Sequence, residues 1–251
     1  MKKILACEGT SVSACKLRDA IGDLTGKHFT VSKEAAHIDR EGVLIRYGNG
    51  FPIRNDCPDT VFNPAEFIAL TAHKRRFSDK MKELGILSPE FHRNGEPEQF
   101  PVLIRSTLTG SGGEGIKPAR DRDEFRSNFQ PGDCWTPYYD VAYEVRAYVV
   151  GGNVTHCFYK EPFANQEGQD IKIRSEYHFA FASPEGKFKK LKKAVDKIVE
   201  ASHGKFFSVD AGWLPNINEY VLFEANSGSW MNKSICKPLA VYLVQQLALD
   251  N

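Results

Sequence analysis

From Tyr143 to Val150 the chain is a strand-like run that meets Gly151-Gly152 and resumes as Val154-Thr155-His156-Cys157-Phe158. A glycine pair supplies the positive backbone angles that a tight hairpin needs, so the two runs are expected to be neighbouring antiparallel strands. Helical and further strand-like segments lie on both sides of this hairpin. Strands interleaved with helices in this order imply an α+β architecture of two or three small lobes. A small-molecule site is then expected in a cleft between lobes.

The segments before the hairpin divide in two. Ile4-Leu5-Ala6-Cys7 reads as a strand, Glu8 to Ser11 as a turn, Ala14 to Ile21 as a helix and Val43-Leu44-Ile45 as a second strand ending in a turn at 46–50. Residues 1–62 are thus expected to form a short α/β domain. Asn63 is the expected N-cap of the next helix, with Pro64 at its first position. That helix is expected to run past Phe67, Ile68 and Leu70 towards Lys74, with Ser78 to Leu84 continuing it and Gly85 ending it. Phe100 to Ile104 is an apolar strand-like run. Lys187 to Glu200 is an amphipathic helix burying Phe188, Leu191, Val195 and Ile198, its lysines forming the solvated side. Two last strands flank a turn at Pro215 to Asn218, and Pro238 to Leu249 is expected to close the chain as an apolar helix.

With 251 residues the chain can bury one large core or two modest ones. A net charge of +1 gives no bulk electrostatic pull on nucleic acid, so a nucleic-acid partner is not expected. The six cysteines show no CxxC pair and no histidine at ligand spacing, which predicts reduced thiols and no zinc site. No apolar stretch is long enough to span a bilayer, and Glu8 interrupts the short apolar run after Lys2-Lys3, so a cytoplasmic protein without a membrane partner is expected. His73, His156 and His178 pair with no nucleophile and are read as structural or surface residues.

The chemistry-bearing residues concentrate in the last two strands. Ser208-Val209-Asp210 is read as the end of one strand and Tyr220 to Asn226 as the next. Alternation puts Glu224 and Asn226 on one face, and pairing across the turn brings Asp210 beside them. Two carboxylates and an amide oxygen make a hard-oxygen set suited to magnesium. Gly110-Ser111-Gly112-Gly113-Glu114-Gly115 follows a strand that ends in the cation Arg105, where glycines let backbone amides approach phosphate closely. It lacks the Lys-Ser/Thr of a Walker A loop.

In this order of features the chain, from about Asn63 to Asn226, resembles the ATP-grasp superfamily, and in particular the RimK-type carboxylate-amine ligases. The resemblance implies two α+β lobes gripping ATP over residues 63–251, with a lid subdomain at about 90–136, preceded by the short N-terminal α/β domain. It implies that Lys74 and Arg105 bind phosphate and that Gly112 and Gly113 belong to the loop closing over it. Trp135, Thr136, Pro137 and Tyr138 match the hinge that meets adenine, Glu144 the acid that holds ribose, and Asp210, Glu224 and Asn226 the metal ligands. Arg105, Lys160 and Arg174 match cations on the reacting phosphate side. Two departures stand out: arginine replaces the usual lysine at Arg105, and no proline follows Asn226 in Ser227-Gly228-Ser229-Trp230.

The activity implied is ADP-forming ligation, in which ATP and Mg2+ (two ions, with Mn2+ as a substitute) activate a carboxylate as an acyl phosphate that an amine then attacks. The acid and the amine are unspecified; the acceptor can be an amino acid, a peptide or a protein tail. A phosphotransferase on the same fold and a nucleotide-binding regulator without turnover are the alternatives.

Overall fold

The computed structural model of the protein describes residues 3–7, 12–26, 30–32, 43–48, 61–109, 113–162, 177–182, 186, 188–229 and 231–246. Strands β1 (Lys3–Cys7), β2 (Thr30–Ser32), β3 (Val43–Tyr47) and β4 (Val61–Phe62) form a parallel sheet in the order β2-β1-β3-β4. Helix α1 (Val12–Thr25) lies between β1 and β2 in sequence and buries Ala14, Leu17 and Ile21, the spacing of one helical face. These residues share a core with Leu239, Ala240 and Leu243 of the last helix, α6 (Lys233–Gln246). Helix α6 therefore packs against α1.

Between these parts come α2 (Ala65–Thr71) and α3 (Lys74–Glu83). The expected single helix is broken at Ala72-His73, where His73 turns extended and its Nδ1 accepts a hydrogen bond from the Arg76 N–H. Lys74 opens α3 at the end of the face that carries the buried Phe77, Ser78 and Met81. Asn63 is not the helix cap; Pro64 occupies that position. Asn63 has a left-handed backbone (φ 55°), which asparagine tolerates, and its buried side chain bridges to the segment at Lys205 and Phe206 instead. Its Oδ1 accepts from the Lys205 and Phe206 N–H groups at 2.9 and 3.2 Å, and its Nδ2 donates to the Phe206 carbonyl at 2.6 Å.

A small antiparallel sheet, order β6-β5-β7, comprises β5 (Val102–Arg105), β6 (Ile116–Ala119) and β7 (Cys134–Pro137). Helix α4 (Arg122–Asn128), capped by Asp121 on the Asp123 and Glu124 N–H groups, covers it. Val102, Ile104, Ala119, Phe125 and Trp135 form the core of this unit.

The large antiparallel sheet has the order β10-β9-β8-β11-β12, from β8 (Tyr143–Val150), β9 (Asn153–Pro162), β10 (Tyr177–Ala182), β11 (Phe206–Leu214) and β12 (Glu219–Asn226). Gly151 and Gly152, both at positive φ, make the β8–β9 turn. One face of the sheet packs Val145, Ala147, Cys157, Val209 and Leu222 against Leu191, Val195 and Ile198 of α5 (Lys189–Ser202). On the other face Tyr148, Val150, Phe158 and Phe206 pack towards the N-terminal unit and α6. Two expectations shift. β11 runs on to Leu214, so Asp210 sits mid-strand rather than at its end. α6 begins five residues before Pro238, which lies inside it; Asn232 Oδ1 caps the Ile235 N–H, and burial of Ile235, Cys236, Leu239 and Leu243 holds the helix despite the missing donor.

Candidate active site

Strand register sets a row of side chains across the large sheet: Phe158 opposite Arg146, Arg146 opposite Asp210, and Asp210 opposite Glu224. Directly opposed residues project from the same face. Next to Asp210 the pairing slips, with Ala211 opposite Leu222, so β12 carries one extra residue, Phe223. Such a bulge bends the strand and re-aims the neighbouring side chain, here Glu224.

Asp210 lies at the centre. It is 2% exposed, and its carboxylate accepts two parallel hydrogen bonds from Arg146 (2.6 and 2.7 Å) and one from Lys160 (2.9 Å). Burial alone would raise its pKa, but the Lys160 ammonium and the Arg146 guanidinium together hold it well below the usual carboxylate range. Lys160 is also 3.4 Å from Glu144. Glu224 pairs with Lys74 at 2.8 Å, and its Oε1 accepts from Asn226 Nδ2 at 3.2 Å. Lys74, the first residue of α3, thus meets β12. The three expected metal ligands lie together, and each carboxylate of the group faces a cation of this chain. Among the described residues no three His, Cys, Asp or Glu side chains converge as a metal cluster, so a metal here would rest on two carboxylates and an amide.

Arg105 comes in from the small sheet, where β5 pairs it with Ile116 and Cys134. Its guanidinium lies 5.7 Å from the Phe91 ring centroid. Burial pushes its pKa down, and the nearby Cys134 and Glu224 act in the opposite sense. The Nε–H is buried without a hydrogen-bond partner. A buried, unsatisfied donor on a cation is the feature expected where an anion binds.

In the expected hinge, Trp135 exchanges backbone hydrogen bonds with His92, and the Tyr138 N–H donates to the Pro101 carbonyl at 3.2 Å. Pro137 has no N–H, so any adenine contact at these three residues would fall to carbonyls. Thr136 is fully buried and its hydroxyl has no partner. Gly113 (φ 82°) accepts the Ile116 N–H in the turn before β6. Gly112 and Arg174 lie outside the described residues, as does the side chain of His178. His73 is a helix cap, and burial pushes the His156 pKa down. Among the α5 lysines, Lys190 and Lys197 donate to the Asn218 and Leu84 carbonyls, so part of that face anchors the helix.

No family model matches the chain, and no curated protein matches it in sequence. Solved structures do. A RimK-domain ATP-grasp protein from Sphaerobacter thermophilus superposes with a TM-score of 0.66 at 14% identity, over 96% of this chain and 99% of that one. D-alanine–D-alanine ligase from Bacillus anthracis gives 0.64 at 13% identity, over 100% and 98%. The ATP-grasp ligase PsnB, in complex with a phosphomimetic variant of its minimal precursor, Mg and ADP, gives 0.67 at 11% identity, over 98% and 99%.

This chain has the ATP-grasp fold.

In this fold the charged row and Arg105 come from the two antiparallel sheets, the large and the small. Arg146 had no role assigned from sequence. It stands two residues after Glu144 on one strand, a spacing that puts both on the same face, and that was the available signal. No helix among the described residues is long and apolar enough to cross a membrane.

Proposed function

We propose that the chain is an ATP- and Mg2+-dependent ligase that activates a carboxylate as an acyl phosphate and couples it to an amine, releasing ADP. The observation that carries this reading is a set of carboxylate–cation pairs beside an Arg105 whose buried Nε–H has no hydrogen-bond partner. Lys74, Lys160 and Arg146 are held by Glu224, Glu144 and Asp210, while the Arg105 Nε–H has no partner. A metal alone would take the carboxylates and strand the cations; a triphosphate alone would do the reverse. Arriving together, they satisfy both sets. The residues therefore fit a metal–nucleotide pair, and the PsnB complex with both Mg and ADP supports that reading.

In this reading Asp210, Glu224 and the Asn226 amide oxygen hold Mg2+, two ions being our expectation. Magnesium, when bound, screens the triphosphate charge. Lys74, Arg105 and Lys160 orient the phosphates, with Arg174 as a further cation on that side. Positioning and charge stabilisation of this kind are most of what phosphoryl transfer requires of a protein. Glu144 would hold the ribose, residues 135–138 the adenine, and Gly112 and Gly113 would help exclude water from the activated carboxylate. In this reading the lid is at about residues 90–136, preceded by the short N-terminal unit of residues 1–62. The acceptor is an amino acid, a peptide or a protein tail; a precursor bound to PsnB favours the longer kinds.

The test is an ADP-release screen over amino acids and peptides, with mass detection of the product. An amide with loss of water supports the reading. A stable phosphorylated product would replace it with phosphotransfer, and nucleotide binding without any turnover would make the chain a regulator.

A further inference from the structure

Asn226 is followed at once by a turn, Ser227-Gly228-Ser229, that three parts of the chain hold. From the N-terminal sheet, Tyr47 Oη donates to the Ser229 carbonyl. Beside it the backbones of Gly48 and Gly228 touch: a Cβ on Gly48 would stand 3.1 Å from the Gly228 Cα, and one on Gly228 would stand 3.0 Å from the Gly48 Cα. From α2, Thr71 Oγ1 meets Ser227 Oγ at 3.1 Å. From β11, Ser208 Oγ meets Ser229 Oγ, which itself donates to the Asn226 carbonyl at 2.8 Å. Tyr47, Ser208, Ser227 and Ser229 are all buried.

Strand ends fray unless something ties them, and a metal site tolerates errors of only about 0.5 Å in its ligands. We propose that Tyr47 and Ser229 are positioning residues for Asn226, so that the N-terminal sheet sets how tightly the metal is held. The inference rests on the reading of Asn226 as a metal ligand. Tyr47 fixes the Ser229 backbone, the Ser229 hydroxyl fixes the Asn226 carbonyl, and the glycine pair permits the approach that makes both contacts reachable. Groups that orient a ligand without touching the metal alter metal affinity by about 10- to 100-fold when removed.

The probe is Mn2+ titrated into the full-length protein with saturating ADP, the free ion being followed by electron paramagnetic resonance. Tyr47→Phe deletes a single oxygen and Ser229→Ala a single hydroxyl. Each is expected to weaken Mn2+ binding by about 10-fold, while ADP affinity in chelator stays at the parent value. Parent-like Mn2+ affinity in both variants, with Glu224→Gln losing the ion, overturns the inference and leaves the metal site standing. Parent-like Mn2+ affinity in Glu224→Gln removes the metal site itself. Equal weakening of ADP in chelator and of Mn2+ means general disruption and also overturns the positioning role. Should Ser229→Ala fail to fold, Tyr47→Phe decides alone.

Discussion

Arg146 and Asp210 face each other across adjacent strands, Nε to Oδ1 at 2.6 Å and Nη2 to Oδ2 at 2.7 Å, both side chains buried. Removing the fork strands a buried carboxylate with Lys160 as its remaining cation in this cluster. Arg146→Ala should therefore destabilise the protein by about 3–5 kcal/mol, the usual result of breaking a buried pair from one side. Arg146→Lys keeps the charge but not the two-pronged contact and should fall between. Urea denaturation checks this, and a loss below about 1 kcal/mol, the scale of an exposed pair, would show that the pair is not structural.

Glu224→Gln keeps the side-chain shape and removes one of the two carboxylates proposed for the metal. Turnover should fall by about 3–4 kcal/mol in barrier, or several hundredfold, as when other charge-stabilising groups are lost. Nucleotide should still bind, more weakly. ADP release and thermal unfolding measured on one preparation separate loss of chemistry from loss of fold. A folded variant with full turnover would sink the metal assignment.

Arg105 has an unsatisfied buried donor, so an arriving phosphate adds a contact there without breaking one. Arg105→Ala should weaken ATP binding by about 1.5–3 kcal/mol, the range for a hydrogen bond to a charged group. Arg105→Lys should retain part of it. Calorimetry with Mg2+ present distinguishes these outcomes, and unchanged affinity in the alanine variant would remove the phosphate role.

Cys157 is fully buried against α5, and burial pushes its thiol from an ordinary 9.0 up to about 12. The folded state holds its proton more tightly than the unfolded one, so the associated stability is fully present below pH 9.0 and is lost as pH rises towards about 12. At pH near 8 a thiol reagent should leave Cys157 unlabelled in the native protein and label it in urea. Peptide mapping reads this directly; rapid native labelling would contradict the burial.

The hairpin at Gly151-Gly152 and the apolar stripe of α5 were legible because each is a local pattern, a turn chemistry or a period, that tertiary contacts reinforce. The place of Asn63 is not legible locally, because its side chain answers to Lys205 and Phe206, far off in sequence. The helix break before Lys74 was equally invisible to propensity, since neither glycine nor proline marks it. At the candidate site, the same-face relation of Glu224 and Asn226 followed from strand period alone. The partner of Asp210 did not: choosing Arg146 needs the register between β8 and β11, which no single strand encodes.

Lys74, Arg75 and Arg76 open α3 with no acidic residue in its first turn, at the end where the helix dipole is already positive. His73 satisfies one N–H there and Glu224 offsets one charge, and Phe77 and Met81 are buried one and two turns later. Left to itself, this short segment would be a poor helix. Its conformation rests on what surrounds it. Native-state hydrogen exchange should accordingly find the α3 amides among the less protected of the helical set, and slower to exchange once an anion sits at its start.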